Sequence, residues 1–262
     1  MPSLWLAKMN SKKITMFRQA SEFTAFHKKL GVLIGHWLDS EWSVLDLGCG
    51  LGLIDFEIAP HVKSITAVDY DETVIKECKA QIERELDAGH GYAEKIEPIC
   101  ADAKDISGEW DIVLMSFFGA DFNDMKKYFN HAAKRVIVIV HERASSGIFG
   151  PAIFKSKRRT AAELDAFLKK ESYVHTKTIA EMQFGQPFKT IDDVGDFLER
   201  LEDADKGRII LPELMHEGEP DIDFDVEKIA LNAEERIIMT GRYDFPYYLP
   251  CNVSVGLFCV NI

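Results

Sequence analysis

The sequence predicts an α/β fold in which a mostly parallel, doubly wound sheet lies between layers of helices. Short apolar segments alternate along the chain with segments of helical periodicity, as in successive βαβ units. A cluster of glycines follows the first apolar segment directly. Another segment, 135–140, is almost wholly apolar, as expected of a strand buried on both faces. Right-handed crossovers between such strands give a parallel sheet.

Each predicted element rests on its periodicity and on the turn residues beside it. Apolar residues at helical spacing predict one or two helices over about 14–38, before the sheet. Strands are predicted at 43–47, 64–68, 96–100, 112–116, 135–140, 173–182 and 251–260, helices at 53–59, 71–87, 122–133, 161–170, 191–201 and 227–241, and a loop at 212–226.

These elements divide the chain into four parts. Residues 1–40 supply N-terminal helices that cap the site, and 41–183 form the Rossmann-like core. Residues 184–250 are predicted to be an insertion of helix and loop, and 251–262 the last sheet strand.

The first strand and its glycine turn, Val44-Leu-Asp-Leu-Gly-Cys-Gly-Leu-Gly52, suggest a ligand site. Closely spaced glycines let the backbone turn sharply and approach a ligand, and the next helix directs its N-terminal amides there. Asp69 ends the second strand, where a carboxylate can bind a ribose diol. Asp102 follows the third strand and could accept a hydrogen bond from an adenine amine.

Four segments in this order resemble the successive motifs of class I S-adenosylmethionine (SAM) dependent methyltransferases. They begin at Asp46, Val68, Ala101 and Trp110. The resemblance covers roughly residues 43–141 and implies SAM as cofactor, with S-adenosylhomocysteine as product. The cofactor-binding residues that it implies are Asp46, Gly48, Cys49, Gly50, Gly52, Asp69, Tyr70, Asp102, Ala103, Ser116 and Phe117.

Three other functions compete with a small-molecule methyltransferase. An NAD-dependent oxidoreductase would have the glycine pattern G-x-G-x-x-G or G-x-G-x-x-A, whereas Leu53 occupies the sixth position here. A SAM-binding protein without catalysis would share the same motifs. An RNA or protein methyltransferase would also share them.

The nature of the methyl acceptor is predicted from charge and from an absent motif. The formal net charge of −12 disfavours nucleic acid as a partner. The segment Ser116-Phe-Phe-Gly119 lacks the Asn/Asp-Pro-Pro-aromatic motif of many nucleic-acid and protein-nitrogen methyltransferases. Aromatic residues in the N-terminal helices and in the insertion predict an apolar, lidded site for a small molecule. The sequence predicts no oligomeric state.

His141 and Glu142, just after the fifth strand, are the candidate catalytic bases. A base is needed only if the acceptor must lose a proton, and imidazole titrates near neutrality. The alternative interpretation is a polar pair that binds neighbouring backbone at the strand end.

Compartment and metal content are predicted from the cysteines and from hydropathy. Five cysteines without a CxxC pair argue against a disulfide framework or a structural zinc site, and no metal is expected. The absence of a signal-peptide pattern and of a long apolar run predicts a cytoplasmic protein that does not enter the membrane.

Overall fold

A seven-stranded sheet organises the chain. The structure is a computed structural model and describes residues 11–142, 160–197 and 237–262. Its strands are β1 (Ser43–Leu47), β2 (Ser64–Asp69), β3 (Ile96–Cys100), β4 (Trp110–Ser116), β5 (Ala132–His141), β6 (His175–Gln183), β7 (Gln186–Phe188), β8 (Ile238–Met239), β9 (Tyr247–Leu249) and β10 (Asn252–Asn261). Its labelled helices are α1 (Ser11–Thr24), α2 (Phe26–Ile34), α3 (Leu53–Ile58), α4 (Glu72–Asp87), α5 (Phe122–Phe129) and α6 (Ala161–Lys170).

The strand order in the sheet is β3-β2-β1-β4-β5-β10-β6. Strands β1 to β5 pair in parallel, and β10 lies antiparallel between β5 and β6. The carboxyl ends of β1 to β5 therefore meet at one edge of the sheet. The order reverses at β1, since β2 lies on one side of it and β4 on the other, which is where open α/β sheets bind ligands.

Both faces of the sheet are covered by helices, which explains why its central strands are almost wholly apolar. Along β1, Val44 packs into a core with α2 and α3, whereas Leu45 and Leu47 pack into a second core with α5 and α6. The same alternation continues in β4, β5 and β10. Each strand thus contributes to two cores, and this fixes its register.

The two N-terminal helices differ in what they bury. Helix α2 belongs to the main core, because Phe26, Leu30 and Ile34 are all buried there. Helix α1 lies over the glycine turn, where Ile14 packs against Leu51. Helix α1 also contacts β7 of a small second sheet with the order β7-β9-β8.

Most predicted elements are confirmed, and two predicted helices are wrong in part. The predicted helix 122–133 ends at Phe129, because Ala132 and Ala133 already belong to β5. Alanine has a high helix propensity, but strand pairing overrides it here. The predicted helix 227–241 fails at 238–239, which form β8, while 227–236 lie outside the described residues.

The region 184–250 contains more strand than the sequence predicts. Its described residues include β7, β8 and β9, and residues 191–197 are helical as predicted. The rest of the predicted helix 191–201 and the predicted loop 212–226 lie outside the described residues. The strands on either side are β6 and β10, and β6 pairs along its whole length with β10. Within the described part of the chain, no helix is long and apolar enough to span a membrane.

The close approach of α6 to β10 gives a test of the packing. A Cβ at Gly256 would lie 2.5 Å from the Cβ of Ala161. We expect Gly256→Ala to lower the free energy of unfolding by about 1–3 kcal/mol through overpacking, measured by urea denaturation. The double variant with Ala161→Gly should recover part of that loss.

Gly35→Ala is the matched control, because a Cβ there meets nothing within 4 Å and the backbone φ is −54°. It should leave stability unchanged or raise it slightly. Equal effects of the two alanine substitutions would contradict the packing of α6 on β10.

Candidate functional site

The glycine turn between β1 and α3 is held by hydrogen bonds to the neighbouring strand. The N–H groups of Gly48 and Cys49 both donate to the carbonyl of Val68 in β2, at 2.8 and 3.0 Å. Gly48, Gly50 and Gly52 have φ values of 78°, 55° and 70°, which residues with a side chain rarely adopt. This explains the spacing of glycines in the sequence.

The three glycines meet different surroundings. A Cβ at Gly48 would lie 2.6 Å from the ring of Phe118, and one at Gly52 would lie 2.7 Å from Sγ of Cys78. A Cβ at Gly50 would meet nothing within 4 Å. Gly48 and Gly52 therefore permit close packing within the protein, whereas Gly50 keeps a space open beside the turn.

Asp69 ties this turn to the start of α4. Its Oδ2 accepts from the N–H of Gly50 at 3.0 Å, and its Oδ1 accepts from the N–H of Asp71 at 2.9 Å. Burial raises the pKa of Asp69, while these backbone donors lower it. Each carboxylate oxygen can accept a second hydrogen bond, so both can still bind a ligand hydroxyl.

A buried pair of carboxyl groups, Asp46 on β1 and Asp55 on α3, lies beneath the glycine turn. Both residues have no exposed surface, and apart from the other carboxyl group their four oxygens have no hydrogen-bond partner among the described residues. Burial raises the pKa of Asp46 to about 7, and burial followed by the charge of Asp46 raises that of Asp55 well above its usual range. We infer that Asp55 keeps its proton and donates it to Asp46.

The sequence motifs predict Asp46 as a cofactor-binding residue but give no indication of Asp55. No motif includes Asp55, and on a helix its carboxyl would ordinarily face solvent. Only the packing of α3 on β1 brings it to Asp46.

Asp102 and Ala103 lie beyond β3, next to the end of β2. The N–H of Ala101 donates to the carbonyl of Asp69 at 3.0 Å, so Asp69 and the Asp102 turn are adjacent. Asp102 is exposed and accepts from the N–H of Lys104 at 2.9 Å. Tyr70 is also exposed at this edge, whereas Cys49 is buried within the glycine turn.

Ser116 and Phe117 end β4 on the other side of the glycine turn. The N–H of Phe117 donates to the carbonyl of Ile139, and its φ of 52° is unusual for a residue with a side chain. This conformation turns the chain so that the next ring, Phe118, packs on Gly48. Phe118 therefore belongs to the site, although the sequence assigned no cofactor role to it.

His141 and Glu142 lie at the end of β5, at the same edge. The His141 ring centroid is 4.8 Å from that of Phe117, and the N–H of Glu142 donates to the carbonyl of Ser254. Both residues are half-buried. The structure thus places His141 beside the β4 end, and the catalytic role of both residues stays a prediction.

The surroundings of the glycine turn fit SAM. The open space at Gly50 and the edge position of Asp69 provide room and ribose acceptors for this ligand. Asp102 follows β3, the strand beside β2, so it lies near Asp69 at the same edge of the sheet.

The comparisons with known proteins agree with this geometry. Residues 44–137 match a family model described as a methyltransferase domain. This part of the chain is therefore similar to a methyltransferase domain. No curated protein matches it in sequence.

Two solved structures share the fold of this chain. A candidate methyltransferase from Bacillus halodurans is similar with a TM-score of 0.53 at 15% identity, covering 89% of this chain and 97% of that one. The YcgJ protein of Bacillus subtilis is similar with a TM-score of 0.50 at 13% identity, covering 90% and 98%. At such identities the likeness establishes the fold alone.

The seven-stranded sheet also differs from that of dinucleotide-binding domains. Their classic order is 3-2-1-4-5-6. Here the antiparallel β10 lies between β5 and β6. This observation and the glycine pattern both disfavour the NAD-dependent alternative.

The acid pair makes stability depend on pH. Because the folded-state pKa values of Asp46 and Asp55 are raised, the folded protein binds more protons than the unfolded chain between pH 4 and about 7. Stability should therefore fall as pH rises through this range. Asp55→Asn supplies an amide donor to Asp46 and removes one titration, so it should raise the free energy of unfolding at pH 8 by about 1–3 kcal/mol.

Urea denaturation between pH 5 and pH 8 measures this effect. Asp105→Asn, at an exposed acid, is the control and should follow the wild-type pH profile. A parallel pH profile for Asp55→Asn and wild type would show that the pair carries no shared proton.

Proposed function

We propose that this protein is a SAM-dependent methyltransferase whose acceptor is a small, largely apolar molecule. The open space at Gly50, bordered by Asp69 in a methyltransferase domain, is the observation that carries the proposal. When bound, SAM supplies a methyl group on a positively charged sulfur, which a lone pair of the acceptor can displace directly.

The residues around the turn would hold the cofactor in distinct ways. The carboxylate of Asp69 would accept from the ribose hydroxyls, and that of Asp102 from the adenine amine. The glycine turn and Asp46 would surround the methionine part, while Ser116 and Phe117 would line the cofactor on the β4 side. In a reaction of this kind the protein mainly aligns the acceptor and excludes water.

The aromatic side chains between α1, α2 and β6 support an apolar acceptor. The rings of Phe26 and Phe117 are 6.2 Å apart, and those of Phe26 and Phe184 are 4.7 Å apart. They link the N-terminal helices to the end of β4 and to the residue after β6. An acceptor beside these rings would lie next to His141, which could take a proton where the acceptor must lose one.

SAM binding without catalysis and action on RNA or protein are the alternatives. The net charge of −12 opposes RNA. Formation of S-adenosylhomocysteine with any small acceptor would exclude the first alternative.

Calorimetry with SAM, S-adenosylhomocysteine and NADH tests the cofactor. We expect both sulfur compounds to bind and NADH to give no heat of binding. Binding of NADH in the absence of SAM binding would overturn the proposal.

Gly50→Ala tests where the cofactor lies. The methyl group would enter the open space, so we expect SAM affinity to fall by roughly tenfold or more, which is about 1.4 kcal/mol. The φ of 55° should also cost about 1 kcal/mol of stability.

Gly89→Ala is the matched control, since Gly89 has a φ of 85° and a Cβ there also meets nothing within 4 Å. It should lose similar stability but keep the wild-type SAM affinity. Equal SAM affinities in the two variants would place the cofactor elsewhere.

A further inference from the structure

A histidine lies among phenylalanines where the N-terminal helices meet the β6–β7 turn. The ring centroid of His27 is 5.7 Å from that of Phe17, 5.1 Å from that of Phe26 and 6.2 Å from that of Phe184. We call these four residues the His27 cluster. No sequence motif includes His27, so only the structure draws attention to it.

One nitrogen of His27 is held and the other is available. Nδ1 lies 2.6 Å from Oγ of Ser21, one of the few buried polar residues. Nε2 makes no hydrogen bond with the described residues, and it is not among the fully buried unpartnered atoms. Part of the His27 surface reaches solvent, so a bound molecule can reach this nitrogen.

The His27 ring is uncharged at physiological pH. Burial lowers its pKa to about 3, with no contribution from a neighbouring charge. His27 makes ring contacts with phenylalanines, and Ser21 supplies its hydrogen-bond partner. A neutral imidazole among phenylalanine rings disfavours an anion, because neither group carries a positive charge to offset the loss of water.

The His27 cluster borders the proposed cofactor site on two sides. Phe17 packs with Ile14 and Leu51 over the glycine turn. Phe26 stacks towards Phe117, whose ring lies beside His141. A molecule bound against this cluster would therefore lie between the glycine turn and the end of β4.

We propose that His27 determines acceptor specificity by hydrogen-bonding through Nε2 to a polar group of an uncharged, aromatic acceptor that packs on Phe17, Phe26 and Phe184. Ser21 acts as a positioning residue, because its contact with Nδ1 fixes the ring orientation and tautomer. This inference rests on the proposed function and adds the class of acceptor to it.

Three probes of similar shape test the proposal: naphthalene, 2-naphthol and 2-naphthoate. Their affinities are measured by fluorescence titration of the full chain, with and without S-adenosylhomocysteine. We expect 2-naphthol to bind about tenfold more tightly than naphthalene, the effect of one hydrogen bond, and naphthoate to bind most weakly.

Substitutions in the His27 cluster test whether it causes the preference for 2-naphthol over naphthalene. His27→Phe keeps an aromatic ring and should abolish the preference for 2-naphthol without weakening naphthalene. Ser21→Ala should reduce the preference, and Ser21→Thr should restore it. His61→Phe, at an exposed histidine, is the matched control and should behave as wild type.

Each contrary result has a separate meaning. An unchanged preference in His27→Phe, absent binding of 2-naphthol, or naphthoate binding as tightly as 2-naphthol would overturn the role of His27. If S-adenosylhomocysteine still binds in those experiments, the proposed function stands. If S-adenosylhomocysteine fails to bind the wild type, the proposed function itself is overturned.

Discussion

The glycine turn after β1 is the constraint on which the rest of the site depends. Its left-handed glycines allow the chain to leave β1, bond to Val68 in β2 and enter α3 within a few residues. The same turn places the N–H of Gly50 against Asp69. A side chain at Gly48 or Gly52 would collide with Phe118 or Cys78, so two neighbouring elements could no longer pack on the turn.

Sequence alone predicts the elements best where two independent signals agree. The strand 96–100 and the helix 161–170 are predicted at their exact bounds. For the helix, apolar periodicity begins directly after a capping residue. Thr160 and Glu163, for example, form the reciprocal cap that begins α6. The predicted helix 122–133 is wrong at Ala132 and Ala133, because their local preference and their strand pairing disagree. Propensity is a local property, whereas strand pairing depends on distant residues.

The residues of the candidate site also differ in whether the sequence predicts them. Asp69 and Asp102 could be predicted because each follows a strand, and the ends of parallel strands meet by topology. Asp55 and His27 could not, since their burial arises from contacts between elements that are remote in sequence. In the sequence, Asp55 on α3 and His27 on α2 are polar residues of helices and would be expected to face solvent. In the folded chain Asp55 lies against Asp46 of β1, and His27 lies against Phe184.

The N-terminal helices have two roles that constrain each other. Phe26 packs into the main core and also forms a wall of the proposed acceptor site, so α2 cannot leave as a free lid without exposing core surface. Helix α1 buries less of the core and is tied to α4 by polar contacts of Arg18 with Gln81 and Glu77. Partly exposed polar contacts of this kind contribute little to stability compared with apolar burial. Helix α1 nevertheless carries Ser21, so a displacement of α1 would release the orientation of the His27 ring on α2. The proposed acceptor site therefore requires both helices in place, with Phe26 and His27 on α2 and Phe17 on α1 as its walls.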